Sequence, residues 1–162
     1  MSKYIQMNYK PINPEKYMGD INRVFCRSSY ELVACRWLDT TTEIKKWNLE
    51  GIKIPYFDPV RRKQRIYVMD FVAEAIQLDG SSKVFLIEVK PSKSVKIPKK
   101  TAAMAEKTFT ASMNLYLTNS AKWEAAKVYA EENGYTFLIW TEKDLLPGTA
   151  SIKSTFKKKQ IK

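Results

Sequence analysis

Histidine is absent from the chain, and no other feature of the composition excludes as much. Nucleases with a histidine base, Ser-His-Asp and Cys-His hydrolases and nearly all zinc chemistry are removed, because Cys26 and Cys35, the only 2 cysteines, cannot complete a zinc site. Any bound metal must therefore be hard and oxygen-liganded: Mg²⁺, Mn²⁺ or Ca²⁺. Two cysteines give no disulfide framework, and both read as small buried apolar residues. No apolar run approaches the roughly 20 residues that a membrane span needs. The segment Met1-Ser2-Lys3-Tyr4-Ile5-Gln6-Met7 lacks the apolar core of a signal peptide, which predicts a cytosolic protein. No internal repeat and no domain boundary stand out.

What is present supports one globular domain. The chain has 162 residues, 44% of them hydrophobic, enough for a sizeable core. Its net charge of +11 implies an anionic partner, most simply nucleic acid. Ribosomal and structural basic proteins share that bias, so charge narrows the partner and not the activity.

Residues 1–27 are irregular, broken by Pro11 and Pro14, and read as a segment wrapping the domain. Tyr4, Tyr9 and Tyr17 among its lysines suit packing, with stacking on nucleic acid as the alternative. A first helix runs over 28–39, with Ser28 and Glu31 as a capping box and Leu32, Cys35 and Leu38 as its inward stripe. From these residues alone Glu31 reads as a cap. A short strand is expected over 51–56, followed by the basic turn 58–64. There Arg61, Arg62 and Lys63 suit contact with a nucleic-acid backbone.

Strands over 65–78 and 83–89 flank Asp79-Gly80-Ser81-Ser82 as an antiparallel hairpin, completing a three-stranded unit. The basic loop 91–100, with Lys93, Lys96, Lys99 and Lys100, is equally a solvated connector or a track for a phosphate backbone. Residues 101–133 are helical, with a break expected at Thr118-Asn119 and a stop at Gly134. A buried strand over 135–140 follows, and a helix between strands predicts a crossover with parallel pairing. Residues 28–150 form the expected core and 151–162 a basic tail.

The chemistry concentrates on the hairpin. Period-2 alternation puts Val84, Leu86, Glu88 and Lys90 on one face and Ile66, Val68, Asp70 and Val72 on another. Reflection about Asp79-Gly80 sets Asp70 within a residue or two of Glu88, with paired carbons about 4.5–5.5 Å apart. Two carboxylates that close repel, so a cation belongs between them, either Lys90 or a divalent metal. Singly, each acid reads as a solvated strand end. Two acids and a lysine on facing positions read as a site, because a carboxylate ending an apolar row is costly to bury without a partner.

The order is a helix with Glu31, a meander carrying Asp70 and Glu88-Val89-Lys90, a helix and a strand. It resembles the PD-(D/E)XK nuclease core. Local stretches sharpen the likeness: Tyr4-Ile5-Gln6 followed by Pro11-Ile12-Asn13-Pro14-Glu15-Lys16-Tyr17, Ser28-Ser29-Tyr30-Glu31, Lys53-Ile54-Pro55-Tyr56, Val68-Met69-Asp70-Phe71, Glu88-Val89-Lys90-Pro91, Asn119-Ser120-Ala121-Lys122-Trp123 and Phe137-Leu138-Ile139-Trp140-Thr141-Glu142-Lys143-Asp144-Leu145. Together they are similar to the head completion nucleases of T-even-like tailed phages, themselves akin to the A-subunit endonuclease of cut-and-paste transposons. The resemblance spans nearly the whole chain. Met69 departs from it, standing where the family pattern has a proline that shapes the strand.

The resemblance implies an α/β, restriction-endonuclease-like core: a mixed sheet with an antiparallel three-stranded meander flanked by helices. It implies Mg²⁺-dependent hydrolysis of double-stranded DNA, endonucleolytic or exonucleolytic, with Mn²⁺ as substitute. By position, Glu31 is the helical acid, Asp70 and Glu88 the metal-binding acids and Lys90 the catalytic lysine. The backbone carbonyl of Val89 is the natural third metal ligand, and Glu31 would help hold a second metal or a water on it. The implied role is trimming or cutting packaged DNA so that a filled head joins its tail, in the host cytoplasm during virion assembly and in association with the virion. Head, portal or neck proteins are the implied partners, with no membrane. Two other classes stay open, a non-catalytic DNA-binding neck or connector protein and a basic nucleic-acid-binding regulator; metal-dependent cleavage separates the nuclease from both.

Overall fold

The chain, described here for residues 7–146 from a computed structural model, is built on a mixed sheet around the expected hairpin. The Tyr4-Ile5-Gln6 stretch and the basic tail 151–162 lie outside the described residues. In chain order come β1 (Met7–Asn8), a 3-10 turn (Pro14–Lys16), β2 (Phe25–Cys26), α1 (Ser29–Thr40), β3 (Ile44–Leu49), β4 (Lys53–Asp58), β5 (Lys63–Val68), β6 (Phe71–Ile76) and β7 (Ser82–Val89). Then follow α2 (Ser92–Val95), α3 (Glu106–Glu132), β8 (Thr136–Trp140) and α4 (Glu142–Leu145).

The main sheet has the order β3-β6-β7-β8. Its first three strands form an antiparallel meander, and β8 joins β7 in parallel after the α3 crossover. Alternation assigns the two faces. Phe71, Ala73, Phe85, Ile87 and Val89 point into a core with Trp37 and Leu38 of α1 and with Tyr9, Tyr17 and Val24 of the N-terminal segment. Val72 and Leu86 point the other way, against Ala126 and Ala130 of α3 and Ile54, Tyr56 and Tyr67 of the β4–β5 hairpin. Cys26 and Cys35 are buried and free, with their Sγ atoms 3.4 Å apart.

Three expectations are corrected. First, residues 65–78 are not one strand: β5 ends at Val68, β6 begins at Phe71, and β5 pairs only with β4 in a separate two-stranded sheet. Buried Met69 turns the corner, its N–H donating to Ile52 O at 2.9 Å while Asp70 O accepts from Glu50 N at 2.9 Å. Alternation therefore does not carry through the corner. Ile66 and Val68 are 59% and 37% exposed, whereas Val72 is buried.

Second, the strand expected over 51–56 is Lys53–Asp58 and belongs to that hairpin, so the first strand of the meander is β3. Third, α3 is continuous through Thr118 and Asn119, both buried inside it. It ends where Gly134, at φ +70°, lets Tyr135 N bond Ala130 O (2.7 Å) and Gly134 N bond Glu131 O (3.2 Å). Residues 92–95 of the expected basic loop form the short helix α2. Among the described residues no helix is long and apolar enough to cross a membrane.

Asp39, fully buried at the end of α1, ties down the N-terminal segment. Its carboxylate accepts from Tyr9 OH (2.6 Å), Ile12 N (2.6 Å) and Asn13 N (3.1 Å). Its carbonyl accepts from Asn13 Nδ2 and Lys16 Nζ.

Candidate active site

Strand β6 gives out two residues before its ladder with β7 would be complete. Phe71 pairs with Ile87, so the next rung sets Asp70 opposite Glu88. The Asp70 side chain replaces the missing backbone there: Oδ2 accepts from Val89 N at 2.9 Å. Glu88, 2% exposed, accepts from Tyr67 OH through Oε2 and pairs through Oε1 with Lys90 Nζ at 2.9 Å. The structure thus brings Asp70, Glu88 and Lys90 together, with Tyr67 of β5 fixing the carboxylate of Glu88.

Burial raises the carboxyl pKa of Asp70 well above the aspartate range, and the charge of Glu88 raises it further; Lys90 and the Val89 N–H pull against both. For Lys90, burial works to lower the pKa, but the carboxylates of Glu88 and Asp70 outweigh it and hold the ammonium above its usual value. Tyr67 is pushed up, first by burial and then by Glu88, so it stays a donor. Across the site, Lys122 of α3 lies over the rings of Tyr67 (5.6 Å) and Tyr56 (6.0 Å). Its pKa is lowered by burial first and by Lys90 second.

Glu31 stands apart. Its N–H donates to Ser28 Oγ at 3.1 Å, as a capping box requires, but its carboxylate reaches one residue further back, to Arg27 N at 2.7 Å. It faces the site at longer range, where its charge acts on both Asp70 and Lys90. Among the described residues no three acidic side chains gather as a metal cluster, so Glu31 is outside the donor set of the pair in this conformation.

The basic residues divide. Arg61 is partly committed, its Nη1 lying 3.0 Å from Oδ2 of the buried Asp58, which also accepts from Val60 N, Arg61 N and Thr118 Oγ1. Arg62 (φ +50°) and Lys63 are exposed at the tip of the β4–β5 hairpin. Lys93, Lys96, Lys99 and Lys100 are exposed beyond the end of β7, with Lys100 paired to Glu106. Sequence reasoning missed Tyr67, Asp58 and Lys122. Only the pairing of β4 with β5 places Tyr67 and Asp58, and nothing local announces that pairing.

Two opposed carboxylates with a peptide carbonyl beside them are the donor set of a hard cation. Asp70 Oδ1 accepts no hydrogen bond among the described residues, and the repulsion within the pair is what a cation would relieve. The residues fit a divalent metal.

This sheet, with its helices and an acidic central hairpin, defines a restriction-endonuclease-like protein. The family described as TnsA-like endonuclease N terminal matches residues 41–142, and the chain belongs to it; its enzyme class is that of a DNA endonuclease. The chain is also 38% identical over 138 residues to the head completion nuclease of Enterobacteria phage T4, a match covering 83% of this chain and 89% of that one. No solved structure matches.

Proposed function

We propose that this chain is a phage head completion nuclease that hydrolyses double-stranded DNA with Mg²⁺, trimming or cutting packaged DNA before the head joins its tail. The observation that carries the reading is Asp70 set against Glu88, with Lys90 on the same face. Its setting is the host cytoplasm during assembly, and head, portal or neck proteins are its partners. Residues 28–150 are assigned as the catalytic core, 1–27 as its wrapping segment and 151–162 as a basic tail.

Asp70, Glu88 and the Val89 carbonyl would hold Mg²⁺, or Mn²⁺ in its place. When bound, the metal supplies positive charge to the phosphate and lowers the pKa of water. Lys90, kept cationic by the carboxylates, orients the attacking water or stabilises charge developing on the phosphate. Tyr67 holds Glu88 in one rotamer by donating to it. Glu31, once its carboxylate released Arg27 N, would serve as the helical acid and help hold a second metal or a water on it.

That dual role of Glu31 gives a separable outcome. Glu31→Ala should lose cleavage and about 1 kcal/mol of stability, because the cap is lost. Glu31→Gln should keep the melting temperature, since glutamine serves the same cap, yet still cleave more slowly as a poorer metal ligand. A Glu31→Gln protein with wild-type cleavage rate would remove Glu31 from the chemistry.

Binding should be electrostatic and indifferent to sequence, through Arg61, Arg62, Lys63, Lys93, Lys96, Lys99 and Lys100, since no element resembles a base reader. Affinity measured across a salt series should fall steeply. A flat series, or strong preference for one sequence, contradicts this.

The deciding experiment incubates purified protein with linear and with circular DNA, in Mg²⁺ and in chelator. Cleavage in Mg²⁺ alone is expected, and cutting of the circle identifies endonucleolytic action. Intact DNA throughout, with binding retained, overturns the reading in favour of a non-catalytic connector.

A further inference from the structure

Two polar side chains of α3, Lys122 and Asn119, have no protein partner suited to them, and Lys122 lies beside the carboxylates. Lys122 is half-buried over the rings of Tyr67 and Tyr56, and Tyr67 is the residue that donates to Glu88. Among the described residues no carboxylate lies within ion-pairing reach of it. Asn119, three residues earlier and so its neighbour on the helix surface, is 5% exposed, and its side-chain amide makes no hydrogen bond among the described residues.

The charges around Lys122 come from two elements: Lys90, Glu88 and Asp70 on the central hairpin, and Arg65 on β5. Lys90 is already taken by Glu88. Lys122 therefore faces two other cations with no anion of its own. A phosphate accepts from both an ammonium and an amide N–H, and lysine meets it as a point charge.

We propose that Lys122 and Asn119 form a phosphate subsite that receives the DNA backbone one or two nucleotides from the bond to be cut. The position relative to the cut rests on the nuclease reading above; the phosphate contact does not. Binding there lays the strand over the seam where α3 packs on the β4–β5 hairpin, so that a neighbouring phosphate falls against Asp70 and Glu88. Lys122 is thus a positioning residue.

Two measurements test this. The first is DNA affinity across a salt series in chelator, for wild type, Lys122→Met, Lys122→Arg and Asn119→Ala. Methionine keeps an apolar stem over the tyrosines, and melting temperatures accompany each variant. Loss of one phosphate contact should make the slope of log affinity against log salt shallower by about 0.9 for Lys122→Met, with the wild-type slope restored by Lys122→Arg. Asn119→Ala carries no charge change and should weaken binding at unchanged slope. An unchanged slope in a folded Lys122→Met overturns the proposal; if that variant does not fold, Lys122→Gln is read in the same way.

The second measurement uses cleavage ladders on duplexes carrying one methylphosphonate, which removes a single backbone charge. Wild type should show a gap at the modified bond and another at a fixed offset. Lys122→Met should lose only the offset gap. If both gaps persist unchanged, Lys122 merely supports the tyrosines and the proposal fails. Absence of any cleavage together with the slope change would sink the nuclease reading and leave the phosphate subsite standing.

Discussion

Alanine at Asp70 or at Glu88 should abolish Mg²⁺-dependent cleavage while leaving a folded protein that still binds DNA, and Lys90→Ala should do the same. In the proposed site the two acids would together supply the charge that a divalent ion answers, so neither alone would make a competent donor set. Their effects on the metal-free protein differ. Asp70 is the carboxylate penalised by burial and by its neighbour, so Asp70→Asn, whose amide oxygen still accepts from Val89 N, should hold or raise the melting temperature. Glu88→Ala strands Lys90 and the Tyr67 hydroxyl and should lower it.

The sign of the pH dependence follows from the upward shift on Asp70. Its penalty is absent below the ordinary aspartate pKa and grows as pH rises through the raised value. Metal-free wild type should therefore lose stability over that window, and Asp70→Asn should not. Added Mg²⁺ should stabilise wild type by about 2.7 kcal/mol at a hundredfold excess over its dissociation constant, and either acid variant should lose most of that. Full metal-dependent cleavage by both alanine variants would show that the hairpin is structural and that these residues are not the site.

The largest effect on stability should come from Asp39→Ala, far from the carboxylate pair. Its carboxylate holds Tyr9 OH and two backbone N–H groups of the N-terminal segment in a buried setting. Each donor left unsatisfied costs about 1–3 kcal/mol, so the loss should reach at least about 3 kcal/mol. For a domain of this size that corresponds to a fall of roughly 6–12 °C in melting temperature. Cleavage assayed well below the melting point should survive, because no atom of Asp39 belongs to the site. A melting temperature within a degree or two of wild type would show that the segment is held by apolar packing alone.

The hairpin carrying the site was legible because its information is local. Asp79-Gly80 sets the turn, alternation sets the faces, and together they bring Asp70 to Glu88 across a short loop. The capping box at Ser28 and the stop at Gly134 were legible for the same reason. The corner at Met69 was not. An apolar residue continues the row, and the choice between β4 and β7 as partner is made by the rest of the fold. Strand β3 escaped because its register shifts between Ile44 and Lys46, which spoils the alternation. Thr118-Asn119 reads locally as a cap, but Thr118 lies buried against Asp58 of the hairpin and the helix runs on. Asp39 and Tyr67 owe their roles to partners about 20 to 30 residues away.

The β4–β5 hairpin leaves and re-enters the main sheet at neighbouring rungs. Leu49 and Phe71 pair with each other, and the Glu50–Asp70 and Ile52–Met69 bonds close the neck between them. Gly51 sits at that neck, where a Cβ would lie 2.3 Å from the Asn48 side-chain amide and would displace it. The ladder above the neck does not depend on how far the excursion extends, and doubling a loop costs only about 0.6 kcal/mol. Only the base of the arm, at Tyr67, is tied to Glu88. The tip beyond Asp58 is therefore the replaceable part: Ile54, Tyr56 and Tyr67 are committed to the core against α3 and Asp58 to Thr118, so descendants of this fold can lengthen or recharge residues 59–62 to suit another substrate surface while the paired carboxylates are inherited unchanged.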